Sequence, residues 1–202
     1  MSNEKKSEFE IQKYNFETSL DHGIDFENRI IRVSGSIGDC SSPLSGGSGE
    51  FFDFNLLDVA MTRMEKDSSE LPITIKVNSE GGLVYEAFAM IGRIKNSPCP
   101  IITEGYGCVM SAATLILMSG DHRRLSRYCS TMFHAMQYGT NGDHADIKEH
   151  VAQAEKEMKN LTRYYEEFST KPASFWTRKI KKKEYYPSAE EMLDHGAIDE
   201  II

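Results

Sequence analysis

One stretch constrains the fold more than any other. Ile73-Thr-Ile-Lys-Val77 leads into Asn78-Ser79-Glu80-Gly81-Gly82, and Leu83 to Ile94 follows. The alternating, β-branched first part reads as a strand. Asn-Ser-Glu-Gly-Gly reads as a turn that draws on glycine's conformational freedom. Val84, Ala87, Ile91 and Ile94 then recur at helical spacing. Similar alternation runs along the chain. Strands are expected at 29–34, 73–77, 100–105, 124–128 and 131–137, and helices at 54–64, 83–95 and from Ser111 to about Gly120. Strands alternating with helices make this an α/β chain with parallel layers. By itself the glycine pair is an ordinary strand-to-helix connection. It can also present backbone N–H groups to a substrate carbonyl.

A second stretch bears on chemistry. Ser111 follows a glycine-bearing turn and opens the apolar run Ala112-Ala-Thr-Leu-Ile-Leu-Met118. A helix start offers free N–H groups and a positive dipole end, which suit an oxyanion. Serines also open buried helices as simple N-caps. His134 lies within Thr131-Met-Phe-His-Ala-Met136. There it is either a hydrogen-bonded core residue or the base that a nucleophilic serine needs. Cys108, three positions before Ser111, is a second candidate nucleophile that fits the position less well.

Taken in order, these motifs resemble the proteolytic subunit of the Clp protease (ClpP). The family's Asn-Ser-Pro-Gly-Gly is similar to Asn78–Gly82, with Glu80 in place of proline. Its Gly-x-Ala-Ala-Ser-Met is similar to Gly107–Ala112, and its Met-Ile-His-Gln to Met132–Ala135. Its closing Ser-Ala-x-Glu-Ala…Gly-Leu-Ile-Asp is similar to Ser188–Met192 and Gly196–Asp199. Asn28-Arg-Ile-Ile-Arg-Val33 resembles its first core strand.

The resemblance covers residues 28–202 and implies a ClpP/crotonase-type fold of repeated β-β-α units with a protruding handle at about 137–170. Residues 1–27 would be a mobile gate or partner-contact segment. It implies serine endopeptidase activity on unfolded polypeptides. Ser111 would be nucleophile and His134 base, with Gly82 or Gly81 and Ala112 forming the oxyanion hole. Tyr138, Gly139 and Thr140 would receive extended substrate. The partners implied are further copies, in seven-membered rings stacked into a tetradecamer, and a separate AAA+ unfoldase that consumes ATP. No cofactor is expected in the chain itself.

The family's third catalytic residue is an aspartate. Counting without gaps between Thr170 and Ser188 puts Ile180 in its place. Glu184 is the one carboxylate in that segment. Asp194 and Asp199 are alternatives, and so is a serine–histidine dyad. A catalytically weak or inactive ring subunit is therefore a competing expectation, and an acyl-CoA enzyme of the crotonase group a third.

The longest helical signal is Ala145 to Thr170, where Ile147, Val151, Ala154, Met158, Leu161, Tyr165 and Phe168 form one apolar seam. It suits packing on another subunit or on the chain's own core. Asp143, His144, Asp146 and His150 crowd its start. Acids in a first turn answer the helix dipole, so no metal site is expected there. Lys179 to Lys183 reads as a solvated helix end. Phe175, Trp176, Tyr185 and Tyr186 read as core or interface aromatics.

The length of 202 residues fits one domain with a real core. A formal charge of −8 argues against general nucleic-acid binding. No apolar run reaches membrane-spanning length, and the polar start Met1-Ser-Asn-Glu-Lys-Lys lacks a signal-peptide core. Cys40, Cys99, Cys108 and Cys129 lack Cys-x-x-Cys spacing and read as free thiols in a reducing compartment. The expected location is cytoplasmic.

Overall fold

Alternation along the central strands builds the sheet, most regularly in Ile73–Gly82. In Ile73–Gly82, the side chains of Ile73, Ile75, Val77 and Ser79 are buried while their neighbours face outward. The computed structural model describes residue 13 and residues 22–38, 51–181 and 184–202. Most of segment 1–27 and the loop Cys40 to Glu50 lie outside the described residues.

The elements in chain order are β1 (Ile24–Asp25), β2 (Ile30–Ile37), β3 (Phe51–Phe52), α1 (Phe54–Asp67), β4 (Ile73–Gly82), α2 (Val84–Lys95) and β5 (Ile101–Met110). They continue with α3 (Ala112–Met118), β6 (His122–Leu125), β7 (Ser130–Met132), α4 (His144–Glu167), α5 (Ala173–Ile180), α6 (Ala189–Asp194) and β8 (Glu200–Ile201). The sheet order is β1-β2-β4-β5-β6-β8, with β3 on β2 and β7 on β5. Among the described strands, β1 alone pairs antiparallel. This is the expected α/β architecture.

Buried side chains of α1, α2 and α3 share one core with Ile31, Val33, Ile75 and Val77. The opposite sheet face carries a row of charges in register, Lys76, Glu104, Arg124 and Glu200. Lys76 and Arg124 both pair with Glu104, at 3.6 and 3.2 Å. No helix among the described residues is long and apolar enough to cross a membrane.

Several bounds differ from the sequence expectation. The strands at 73–77 and 100–105 run on to Gly82 and Met110. Asn78–Gly82 is therefore extended backbone, because Gly81 and Gly82 pair with Ser36 and Ile37 of β2. A Cβ on Gly82 would sit 1.9 Å from the Ile37 carbonyl oxygen, so only glycine permits this approach. The strand at 131–137 ends at Met132, after which Phe133 bridges to Tyr185. α5 and α6 are additional short helices.

The strand β5 is shared end to end. Its first half pairs with β6, and its last three residues, Cys108–Met110, pair with β7. That fork brings the residues after β7 to the start of α3. The seam on α4 divides in the same way. Leu161, Tyr165 and Phe168 are buried, whereas every residue from His144 to Gln153 is exposed, Ile147 and Val151 included.

Candidate active site

The turn from β5 into α3 sets the site. Ser111 has φ 52° and ψ −125°, a conformation that side-chain-bearing residues rarely adopt and that costs about 1–3 kcal/mol. Its surroundings hold it there. Its N–H donates to the Met132 carbonyl at 2.8 Å. Its own carbonyl accepts from the Thr114 N–H (3.1 Å) and the Thr114 hydroxyl (2.6 Å). The Thr114 hydroxyl also meets the buried Tyr165 hydroxyl at 3.1 Å. Although Ser111 occupies the N-cap position, its side chain makes no capping bond. Its Oγ instead lies 2.6 Å from Nε2 of His134.

His134 owes its place to two neighbours. The register Met110–Met132 aligns β7 with the end of β5. Phe133 then exchanges two backbone hydrogen bonds with Tyr185, both 2.8 Å. Ser111 and His134 line a cavity of about 370 Å³ with Gly82, Ala112, Met110, Met132 and Met136. The two glycines have separate roles. The Gly81 N–H donates to Ser79 Oγ at 3.0 Å, and that hydroxyl donates to the Gly35 carbonyl at 2.5 Å. Gly81 is thus a buttress rather than an exposed donor, which leaves Gly82 and Ala112 on the cavity wall. A serine beside an imidazole, at the mouth of a cavity edged by backbone amides, has the parts needed for acyl transfer.

A Clp protease family model matches residues 55–202. The chain belongs to the Clp protease family. Curated relatives carry the same name at modest identity. An ATP-dependent Clp protease proteolytic subunit of Deinococcus radiodurans is 26% identical over 150 residues, 73% of this chain and 73% of the relative. ATP-dependent Clp protease proteolytic subunit 1 of Salinibacter ruber is 28% identical over 153 residues, 73% of this chain and 64% of the relative. The chain therefore spans just under two thirds of the second relative's length.

As a Clp family member the chain departs from expectation at the third position. Glu184 is not brought onto His134: it is exposed, and its carboxylate accepts from the Tyr186 hydroxyl at 2.7 Å. Asp194 turns to Lys171 (3.0 Å) and to His195 Nδ1 (3.3 Å). Asp199 is held by the Arg123 backbone N–H, Nε and Nη2 at 2.6–2.9 Å, and these bonds put its carboxyl below the usual 3.8. Among the described residues His134 Nδ1 has no hydrogen-bond partner; Ile180, almost fully buried, lines a second cavity with His134 and Glu184.

Elsewhere the candidates separate cleanly. The Cys108 thiol faces Asn78 Oδ1 at 3.7 Å, outside the Ser111 cavity, and burial pushes its pKa up. Tyr138, Gly139 and Thr140 lie past β7 in a segment unpaired with any described strand, and the Thr140 hydroxyl bonds His150. Asp143 and Asp146 form a capping box on α4, which accounts for acids at that point. Trp176 is buried against Phe133 and Tyr165, as a core aromatic.

Three supporting residues escaped the sequence. Asn78 Oδ1 accepts from the Cys108 N–H at 3.1 Å and sits against the bulge of β5 at Gly107. Ser79 props Gly81, and Tyr165 props Thr114. Asn78 and Ser79 belong to the Asn78–Gly82 motif, where composition marks them only as turn formers. Tyr165 stood in the helical seam, where periodicity marks burial and not contact with a nucleophile.

Proposed function

We propose that this chain is a serine endopeptidase that cleaves unfolded polypeptides inside an oligomeric chamber. The observation that carries the reading is the 2.6 Å approach of Ser111 Oγ to His134 Nε2 at a strained strand-to-helix turn. His134 takes the hydroxyl proton as Oγ bonds to the scissile carbonyl carbon. The carbonyl oxygen becomes an oxyanion facing the N–H groups of Gly82 and Ala112, each worth about 3 kcal/mol in comparable sites. The C–N bond then breaks, and His134 returns its proton to the leaving amine. Water repeats the sequence on the acyl-enzyme, releasing the acid and restoring Ser111. Substrate would lie extended along Tyr138, Gly139 and Thr140 as an added strand.

The chamber would form from seven-membered rings of this chain, stacked in pairs as a tetradecamer. Exposed Ile147 and Val151 on the projecting half of α4 support that reading. An AAA+ unfoldase would deliver substrate and consume the ATP, and the chain would need no cofactor of its own. A cytoplasmic setting fits this partnership.

Treatment with a fluorophosphonate followed by intact-mass measurement tests the chemistry. One adduct is expected on the wild type, none on Ser111→Ala, and labelling slowed at least about a hundredfold on His134→Ala. A second reading, a ring subunit with little or no activity, is favoured by the absence of a carboxylate on His134 Nδ1 among the described residues. An unlabelled, correctly assembled wild type would establish that reading instead.

A further inference from the structure

One side chain on the Ser111 cavity has no part in the chemistry above. The lining is rich in hydrocarbon, with Met110, Leu115, Met132, Met136 and Leu161. Among the described residues that line it, Glu80 is the one carboxylate, and no lysine or arginine accompanies it. Glu80 is also the position at which Asn78–Gly82 departs from the motif it resembles.

The strand fixes where that carboxylate sits. Successive residues of a strand face opposite sides. Ser79 and Gly81 are buried, so Glu80 shares the open side of β4 with Asn78 and Gly82. The next residue, Gly81, packs on the nucleophile: a Cβ there would lie 2.8 Å from Ser111 Cβ. Burial pushes the Cys108 thiol up, and the Glu80 carboxylate adds to that rise, which sets the charge at the Cys108 edge of the cavity. Among the described residues the Glu80 side chain has no ion pair or hydrogen bond. Its charge is therefore uncompensated within the chain and open to a cation that a substrate brings.

We propose that Glu80 is a specificity-determining residue, which selects polypeptides with a lysine or arginine beside the scissile bond. This rests on the peptidase reading above and names its substrate class. A strand rises about 3.3 Å per residue, so Glu80 lies about 7 Å before Gly82, whose N–H faces the oxyanion. An extended substrate advances at the same rate. The residue that meets Glu80 is then within two positions of the scissile bond, on the side away from Val84, which lines the cavity beyond Gly82. Lysine and arginine suit this place because their stems lie along apolar surface while the charged head stays in water. The methionines supply such a surface and adapt to either stem.

The test digests a mixture of unstructured synthetic peptides with the full chain and reads the cleaved bonds by mass spectrometry. Wild type, Ser111→Ala, Glu80→Gln and Glu80→Lys are compared, and only cuts absent with Ser111→Ala are scored. In wild type, lysine and arginine should be enriched at least about threefold within two positions of the cut, on one side of it, the scale on which an exposed ion pair acts. Glu80→Gln should lose the enrichment, and Glu80→Lys should favour aspartate and glutamate instead. The wild-type enrichment should also shrink as salt is raised toward 1 M, because an exposed pair is screened. That arm needs no variant.

Ser111-dependent cuts without basic enrichment overturn the specificity role and leave the peptidase reading standing. Enrichment that survives in Glu80→Gln does the same. Loss of every cut in Glu80→Gln, together with a wild-type enrichment indifferent to salt, would make Glu80 part of the framework of the site and also overturn the proposal. No Ser111-dependent cut in wild type overturns both readings.

Discussion

Ser111 shows how a single backbone conformation carries a site. Its positive φ turns Oγ away from the helix it opens and toward His134. The space for that turn comes from Gly81. A Cβ on Gly81 would lie 2.7 Å from the Met110 carbonyl oxygen, 2.8 Å from Ser111 Cβ and 2.9 Å from the Ala112 nitrogen, and Gly81 itself has φ 99°. Gly81→Ala must therefore displace the nucleophile. Misplacement by about 1 Å costs about a hundredfold in rate. Labelling of Gly81→Ala should fall by about that factor or more, with the far-ultraviolet circular dichroism retained. Equal labelling of the two proteins would show that the turn has slack. Ser111 and His134 were legible in the sequence because each stands inside a short motif whose neighbours dictate its geometry. The state of His134 Nδ1 was not. It depends on the path from α5 to Tyr185, and no local pattern encodes that path. Preference for a carboxylate pointed to Glu184, whose carboxylate the fold turns to the Tyr186 hydroxyl.

At the scale of elements, alternation and periodicity predicted the strands and helices that build the central layers. They failed where tertiary contact overrides local preference. Asn78–Gly82 has the composition of a turn, yet pairing with β2 keeps it extended. The strand after Ser130 is cut short because Phe133 pairs with Tyr185 instead of continuing beside β5. α5 and α6 are too short for a strong periodic signal. One dense polar contact sits at the entry to β8. Arg123 of β6 grips Asp199 just before β8 with two side-chain hydrogen bonds and one from its backbone, and also donates to the Phe168 carbonyl at 2.5 Å. The Asp199 carboxyl is held below its ordinary 3.8, chiefly by the Arg123 side chain. A depressed carboxylate contributes stability that is present above its unfolded pKa and lost as pH falls through the folded value. Wild type should therefore lose denaturant resistance on acidification from pH 5 to below 3.8 more steeply than Asp199→Asn, which starts lower. Parallel curves would remove Asp199 from the acid transition.

For the whole molecule, the telling asymmetry lies in α4. A helix is stabilised mainly by burying an apolar face, and isolated helical ends are marginal in water. The second half of α4 meets this need with Leu161, Tyr165 and Phe168 against the core. Among the described residues no residue of the first half is buried, yet it continues the same seam: Ile147 and Val151 remain 41% and 39% exposed. A capping box at Asp143 and Asp146 fixes the start of the helix, so it is defined but uncovered. Apolar residues kept in register beyond the point where the core ends have a purpose only if a second surface covers them. Under the ring reading, that surface is the same helix end of a facing copy, and the contact joins two rings. Charge placed there should act on assembly alone. Ile147→Asp combined with Val151→Asp is expected to convert the double ring to single rings by native mass spectrometry. Thermal unfolding of the isolated chain should shift little, because neither side chain touches the core. The labelling rate at Ser111 then reports whether stacking supports the site or only closes the chamber. If the doubly substituted protein still forms double rings, the exposed seam serves another purpose and the stacking proposal fails. If it unfolds as a monomer, the first half of α4 contributes to the core after all, contrary to the exposure of every residue from His144 to Gln153.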